Sequence, residues 1–227
     1  MVKSQKGWVI LEKLIGLLES EHVFERRRKS VMAKALAVYS YHFGLSLRRT
    51  SQLISFLEPA SHEAVRKWYR RLGRHVPAVK RRRRAVVAID ETKLKIRGHE
   101  VFLWAAIDIR SREVVYVGLS SGRTDWEALA FIKKVMSLCA GTPIFLTDRG
   151  PWYEKAFRRL GVKFQKMTHG LRNYIEQWFG IIKRRTWRFH NSFPNRSSFD
   201  SARSWTWAFT SFYNLERPVN LSEEVLS

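Results

Sequence analysis

Three carboxylates in the second half of the chain have the sequence context of a metal-binding site. Asp90 follows a short apolar run at residues 85–89, and Asp148 follows a second apolar run at residues 143–147. Such runs predict buried strands, each of which carries an aspartate to its exposed C-terminal end. Glu176 lies further along, in a helical pattern. Carboxylate oxygens are the ligands that Mg²⁺ prefers, so the three side chains indicate a hard-metal site.

The elements around these carboxylates predict an α/β fold. Strand patterns at 85–90, 100–108 and 114–119 come first, with an alternating polar and apolar stretch at 93–97 after the first of them. The strands at 100–108 and 114–119 are joined by a tight polar turn. They are followed by a helix at 124–138, a strand at 143–147, a helix at 151–160, a strand at 162–165 and a helix at 171–187. Three antiparallel strands followed by crossovers make a ribonuclease H-like mixed sheet with flanking helices. The aromatic-rich segment from 187 to 212 predicts a terminal helix that covers this sheet.

Two neighbouring carboxylates have other predicted roles. Glu91 would point to the opposite face of the strand from Asp90, which indicates a supporting role near the site. Asp108 ends an apolar strand and is followed by a polar turn, so we expect it to cap that turn.

An all-α region precedes the sheet, with helix patterns at 8–24, 30–43, 46–57 and 61–72. The last two are joined by a Pro-containing turn and match a helix-turn-helix, although a generic helical hairpin would give the same pattern. The second helix of that motif lies in the major groove. The predicted DNA contacts on it are Ser61, His62, Glu63, Arg66, Lys67 and Arg70.

The charge balance predicts a polyanionic partner. The chain has 42 Lys and Arg against 20 Asp and Glu, a net charge of +22, and its 45% hydrophobic content is that of a folded protein. Lys and Arg supply salt-dependent contacts to DNA phosphates, although a charged surface that serves only solubility remains the alternative. Five consecutive cations repel one another, so residues 80–84 are not expected to form part of a core. We interpret this stretch as a linker that contacts the DNA backbone through Arg81, Arg82, Arg83 and Arg84; a purely solvated linker is the alternative.

The remaining sequence signals concern location. The single cysteine, Cys139, has an apolar helical context and excludes a disulfide framework. The chain shows neither a secretory signal pattern nor an apolar run of the ~18 residues that a membrane span requires. We therefore expect a cytoplasmic, nucleoid-associated protein without a membrane partner.

Residues 85–217 resemble the catalytic domain of DDE-type transposases of the IS6 insertion-sequence family, in particular its short archaeal-type members. The similarity is carried by Asp90-Glu91-Thr92, the strand at 102–108, the segments at 147–153 and 172–177, Lys183-Arg184-Arg185 and Phe212-Tyr213-Asn214. Asp148 and Glu176 are closer in sequence than is typical of that family, which we interpret as a shortened loop around 167–171.

The resemblance implies a site and partners. Two Mg²⁺ (or Mn²⁺) ions would bind, with Asp90 bridging both and with Asp148 and Glu176 each binding one. Lys183 would hold substrate phosphate, and Arg184 and Arg185 would contact DNA beside it. The substrates would be double-stranded DNA at the element ends and at the target, bound by a homodimer or a higher synaptic assembly.

The expected domains are an N-terminal amphipathic helix with a basic segment (1–29), the helix-turn-helix domain (30–76), a basic linker (77–84), the ribonuclease H-like DDE domain (85–220) and a tail (221–227). The resulting hypothesis is a transposase that cleaves and joins DNA strands. Two alternatives remain open: a sequence-specific DNA-binding regulator whose ribonuclease H-like domain is inactive, and a stand-alone metal-dependent nuclease.

Overall fold

The structure, a computed structural model, describes residues 2–24, 28–75, 79–148, 150–166, 173–187, 192–193 and 197–217. The predicted shortened loop at 167–171, the tail at 221–227 and parts of the basic segment and of the linker lie outside these residues. No helix within the described ranges is long and apolar enough to cross a bilayer.

Eight helices and eight strands are formed by the described residues. The helices are α1 (Val2–Ser20), α2 (Val31–His42), α3 (Leu47–Ile54), α4 (His62–His75), α5 (Asp125–Ser137), α6 (Pro151–Leu160), α7 (Asn173–Trp187) and α8 (Phe199–Leu215). The strands are β1 (Arg82–Arg83), β2 (Val86–Ile96), β3 (His99–Asp108), β4 (Val114–Ser120), β5 (Cys139–Ala140), β6 (Ile144–Thr147), β7 (Phe164–Lys166) and β8 (Ser192–Phe193). They form two compact units, one of residues 1–77 and 200–216 and the other of residues 78–199 and 217–227.

The first unit is helical, and α8 belongs to it. Trp205 of α8 donates a hydrogen bond from Nε1 to the hydroxyl of Tyr41, at 3.2 Å. Phe212 stacks on His42 with ring centroids 4.1 Å apart. The sequence predicts that this helix covers the sheet, within a catalytic domain that continues to residue 220. Instead, its aromatic face completes the core of the N-terminal helices, because α2 and α4 present the aromatic partners.

Side-chain caps set the starts of the short helices in this unit. Ser30 accepts a hydrogen bond from the amide of Ala33 at 3.1 Å, and Ser46 accepts one from the amide of Arg49 at 3.2 Å. Ser61 accepts one from the amide of Ala64 at 3.2 Å and so caps α4. Each cap satisfies an amide that has no partner inside its helix. The helix starts predicted at Ser46 and Ser61 follow from this chemistry.

The second unit is built on a mixed sheet of order β4-β3-β2-β6-β7, with β8 also paired to β2. Strands β2, β3 and β4 are consecutive antiparallel neighbours, whereas β6 runs parallel to β2 and β7 parallel to β6. This is the ribonuclease H-like arrangement that the element order predicts. One boundary differs, because β2 continues to Ile96 and Asp90 therefore lies within the strand instead of at its end.

Both faces of this sheet are covered. Strand β3 is buried at every position from Val101 to Asp108, so alternate side chains must find partners on opposite faces. One face packs on α5 and α6 in a core that includes Ile89, Trp104, Phe131 and Phe157. Helix α7 contacts β2 and β3, and the alternation of side chains assigns it to the other face.

The basic linker is partly a structural element. Strand β1 pairs in parallel with β5, and the side chain of Arg84 is fully buried. Its guanidinium lies 2.9 Å from the carboxylate of Glu113, which Arg82 also contacts at 2.5 Å. The prediction that this stretch avoids the core is therefore wrong for Arg84, because paired carboxylates and main-chain carbonyls replace its hydration.

Candidate active site

Asp90 and Asp148 are brought together by the parallel pairing of β2 and β6. Val86 pairs with Ile144, Val87 with Phe145, and Ala88 with Leu146. Both chains run in the same direction, so two further residues along each strand place Asp90 beside Asp148. Asp90 is 8% exposed, and Asp148 is partly exposed. The two aspartates that the sequence singles out thus lie on neighbouring segments where β6 ends, at the carboxyl edge of the parallel β2–β6 pair.

The turn after Asp148 explains the motif that follows it. The amide of Gly150 donates a hydrogen bond to Asp148 Oδ1 at 2.8 Å, and Pro151 opens α6. A Cβ at Gly150 would lie 2.7 Å from the ring of Trp152 and 3.0 Å from Asp148 Oδ1. Glycine is therefore required by close approach, and the turn orients the carboxylate.

Glu91 lies on the other face of β2, as the sequence predicts, and is enclosed there. Its carboxylate accepts a hydrogen bond from the hydroxyl of Tyr153, in the first turn of α6. It also lies 3.1 Å from the guanidinium of Arg123. The Arg123 guanidinium packs over Trp152, 4.1 Å from the ring centroid. These contacts make Glu91 a buried, paired carboxylate next to Asp90.

The carboxylates of Asp90, Asp148 and Glu91 concentrate negative charge at this edge. Burial raises the pKa of the Glu91 carboxyl, and the charges of Asp90 and Asp148 raise it further. The pKa of the Tyr153 hydroxyl is likewise raised by burial and then by the charge of Glu91. A cation placed at this edge would lower the repulsion among the carboxylates.

Glu176 is carried by α7 but does not join the two aspartates in this conformation. All three belong to the described residues, among which no three His, Cys, Asp or Glu side chains stand close enough to hold an ion. The hydroxyl of Tyr174 accepts a hydrogen bond from Arg112 at 3.2 Å, which ties the start of α7 to the turn after β3. The end of β3 is paired with Val87, about 10 Å along the strand from Asp90. The start of α7 is therefore held towards the beginning of β2.

Helix geometry separates the three basic residues that were predicted to contact DNA on α7. The buried stripe of the helix contains Ile175, Trp178 and Ile182. At 100° per residue, Lys183 lies about 20° from Glu176, on the same flank of that stripe. Arg184 points outward, and Arg185 lies on the opposite flank. Only Lys183 therefore shares a flank with the candidate catalytic carboxylate.

The predicted DNA contacts of α4 have mixed exposure. Ser61, His62 and Lys67 are exposed. Glu63 and Arg66 bind each other: the Arg66 side chain donates from Nε to a Glu63 carboxylate oxygen at 2.8 Å. Arg70 is mostly buried, and its guanidinium lies 3.8 Å from the carboxylate of Asp200. In the linker, Arg81 and Arg83 are exposed and Arg82 is partly so, whereas the buried Arg84 has no surface that could reach a phosphate.

Two residues of the site were not singled out from the sequence. Arg123 precedes α5 by two positions in a polar loop, which gives no signal of an inward-facing cation. Tyr153 falls in the segment that carries the family resemblance, and its position two residues after Pro151 was the available clue. Asp108 caps its turn as expected, since its carboxylate accepts a hydrogen bond from the amide of Arg110 at 3.0 Å.

The comparisons with known proteins identify the family. Residues 84–218 match the family model DDE_Tnp_IS240, a DDE domain of the IS6-type transposases. The chain is similar to the uncharacterized protein MJ0017 of Methanocaldococcus jannaschii, at 40% identity over 206 residues that cover 91% of this chain and 94% of that protein. It is also similar to the uncharacterized protein aq_aa24 of Aquifex aeolicus, at 43% identity over 58 residues, 26% of this chain and 48% of that protein.

Two solved structures are similar at low identity. The HTLV-2 integrase catalytic core domain in complex with magnesium is 20% identical and covers 57% of this chain and 85% of its own, with a TM-score of 0.42. The simian T-cell lymphotropic virus intasome in complex with the PP2A regulatory subunit B56 gamma is 13% identical and covers 75% of this chain and 72% of its own, with a TM-score of 0.46.

The family match covers more than half of the chain and contains Asp90, Asp148 and the helix of Glu176. The chain therefore belongs to the IS6-type DDE transposases, and its DDE domain is that of a nucleic-acid-cleaving enzyme.

Proposed function

We propose that the protein is a transposase that binds the ends of an insertion sequence and catalyses metal-dependent cleavage and transfer of DNA strands. The observation that carries the proposal is the pairing of β2 with β6, which sets Asp90 beside Asp148. Membership of the DDE family supports the same chemistry.

Asp90, Asp148 and Glu176 are the proposed ligands of two divalent cations, Mg²⁺ or Mn²⁺. The donor chemistry fits, because the two adjacent aspartates offer hard carboxylate oxygens at an edge whose negative charge is concentrated. Glu176 lies on α7 within the family match, which supports its assignment as the third ligand. Bound divalent ions would help to activate the attacking oxygen and to stabilise the leaving oxygen.

The protein side chains have separate proposed tasks. The amides of Glu91 and Gly150 orient the two aspartates, through hydrogen bonds of 2.9 and 2.8 Å to their Oδ1 atoms. Lys183 shares the flank of Glu176 and would hold a substrate phosphate there. These groups fix the position of the scissile strand, which is the main protein contribution to phosphoryl transfer.

DNA binding is assigned to the basic surface. Ser61, which caps α4, and His62 and Lys67 of α4 are exposed and would face the major groove, and the exposed Arg81 and Arg83 would contact the backbone. A net charge of +22 provides the sequence-independent part of the affinity. Since two element ends must be held at once, we expect a homodimer or a higher assembly on DNA.

The test is strand cleavage and joining on DNA that carries the element's own ends, with Mg²⁺ or Mn²⁺. Wild type is compared with Asp148→Asn, and gel shift shows whether both bind DNA equally. Asp125→Asn is the matched control, because Asp125 lies outside the site and pairs with Arg159 at 2.9 Å. Joined products are expected from wild type and from the control, and none from Asp148→Asn.

Two other results would contradict the proposal. If wild type and both variants bind DNA equally but none of them cleaves or joins strands, the result would favour a regulator with an inactive domain. Cleavage that never leads to joining would indicate a stand-alone nuclease.

A further inference from the structure

Asp90 and Asp148 stand just beyond the last main-chain pairing of their strands. The β2–β6 ladder ends at Ala88 and Leu146, two residues before each aspartate. Beyond these residues β2 continues as a strand to Ile96, whereas the chain after Asp148 leads into α6. The ladder brings the two aspartates side by side, and contacts beyond its last pairing add to what fixes their spacing.

A side-chain bond crosses this gap on the opposite face of the sheet. Tyr153 belongs to the segment that carries Asp148, and Glu91 directly follows Asp90. The hydroxyl of Tyr153 donates a hydrogen bond to the Glu91 carboxylate. We propose that Tyr153 and Glu91 form a positioning pair that fixes the separation of the two catalytic aspartates; the inference rests on the metal-binding role proposed for those aspartates.

Both members of the pair are held rigidly. Tyr153 is 0% exposed and packs edge-on to Trp104, with ring centroids 5.8 Å apart at 86°. The Glu91 side chain is 3% exposed and is contacted by Arg123 at 3.1 Å. The guanidinium of Arg123 is in turn held over the rings of Trp152 and Phe102, at 4.1 and 5.2 Å from their centroids.

Short main-chain connections link the positioning pair to both aspartates. The amide of Glu91 donates to Asp90 Oδ1 at 2.9 Å, so the residue that receives the tyrosine bond also orients the first carboxylate. The turn between Asp148 and Tyr153 contains Gly150, whose amide orients the second carboxylate. A change in the tyrosine bond would thus alter the relative placement of two ligands without removing either of them, which is how residues behind metal ligands tune affinity.

The experiment measures Mn²⁺ binding to the full chain without DNA, by the loss of the free Mn²⁺ signal in electron paramagnetic resonance. Tyr153→Phe removes the hydroxyl alone, and we expect Mn²⁺ affinity to fall about tenfold, as for other residues that orient metal ligands. Ser120→Ala is the matched control, because it removes a partly buried hydrogen bond, of 2.7 Å, that Trp104 Nε1 donates to Ser120 and that does not join the two segments. Its Mn²⁺ affinity should stay within about twofold of wild type.

Two further variants keep the test valid if Tyr153→Phe folds poorly. Glu91→Gln keeps an oxygen that can accept the tyrosine bond, and should retain most of the affinity. The double variant Tyr153→Phe/Glu91→Gln removes the bond and also the buried carboxylate charge that loses a donor in Tyr153→Phe, and should bind Mn²⁺ as weakly as Tyr153→Phe. Circular dichroism identifies the folded variants.

The outcomes separate this inference from the function on which it rests. If wild type binds Mn²⁺, Asp90→Asn does not, and the folded Tyr153→Phe and double variants bind as tightly as wild type, the positioning pair is refuted while the metal site stands. If Asp90→Asn and Asp148→Asn bind Mn²⁺ as well as wild type does, the metal site itself is refuted and the inference falls with it.

Discussion

Gly73 of α4 lies directly against the main chain of Ser204 in α8. A Cβ built on Gly73 would be 1.8 Å from the carbonyl oxygen of Ser204 and 2.7 Å from the amide nitrogen of Ala208. Both helices belong to the helical unit, so the absence of a side chain at Gly73 allows their backbones to meet. The sequence pattern predicts a helix that ends at residue 72, whereas α4 continues through Gly73 to His75.

Gly73→Ala should therefore destabilise the helical unit. The new methyl group cannot be accommodated without moving α8, and we expect a loss of about 3 kcal/mol in the free energy of unfolding. Urea unfolding followed by circular dichroism measures it. Gly16→Ala is the control, since a Cβ at Gly16 meets nothing within 4 Å and alanine favours a helix by about 1 kcal/mol. Equal stability of the two variants would show that α8 does not pack on Gly73.

The fold was predictable where the signal is local. Apolar runs broken by turn residues predict the strands of the sheet, and the serines at 46 and 61 predict helix starts. The packing partners of α8 were not predictable, because its aromatic stripe could pack on a sheet or in a helical bundle equally well. Only the tertiary partners Tyr41 and His42 decide between the two.

The candidate site was predictable only in part, again where the sequence signal is local. Asp90 and Asp148 stand out because each follows an apolar strand, and parallel pairing then brings them together. Runs of charged residues are less informative, because the sequence gives the charge of each side chain but not whether that side chain is buried. Arg83 is exposed and Arg84 is buried, although the two are adjacent and chemically identical.

Arg84 and Arg83 should consequently differ in their effects. Arg84→Ala removes the buried cation that lies beside the carboxylates of Glu113 and Asp108. Breaking such a buried pair costs about 3 kcal/mol of stability. Arg83→Ala should change stability by less than about 0.5 kcal/mol. Urea unfolding measures both values. The same loss from both variants would contradict the structural role of Arg84.

DNA affinity should show the opposite pattern for these two arginines. Arg83→Ala removes an exposed charge, so it should weaken binding and reduce the slope of log affinity against log salt by about one unit. Folded Arg84→Ala should keep the slope of wild type. A salt titration by fluorescence anisotropy distinguishes them, and a reduced slope for Arg84→Ala would show that this residue reaches the phosphates.

The pairing of Asp200 predicts a pH-dependent contribution to stability. The pKa of its carboxyl is lowered, first by the hydrogen bond from Arg74 at 2.5 Å and then by that from Arg203 at 2.8 Å. A carboxyl with a folded pKa below its unfolded pKa stabilises the protein above the unfolded value, and the effect disappears as pH falls through the folded value. Asp200→Asn should thus be less stable than wild type at pH 7, with the difference shrinking below the ordinary carboxyl pKa of 3.8.

Urea unfolding of both proteins across this pH range measures the difference. The pair is substantially exposed, so the effect at pH 7 should be no more than about 1 kcal/mol and should decrease in high salt. A difference that grows as the pH falls would contradict the assignment.

Lys183 and Arg184 provide the sharpest comparison on α7. Lys183 lies on the flank of Glu176, whereas Arg184 projects away from the buried stripe of Ile175, Trp178 and Ile182. If Lys183 holds a phosphate beside the aspartates, Lys183→Ala should slow strand cleavage about tenfold, which corresponds to ~1.4 kcal/mol of transition-state stabilisation. Arg184→Ala removes the same charge one position away, and should weaken DNA binding with little change in the rate at saturating DNA. Single-turnover cleavage with saturating enzyme separates the two effects, because it reports the chemical step independently of affinity. Equal rates for the two variants would place the phosphate contact elsewhere on the helix.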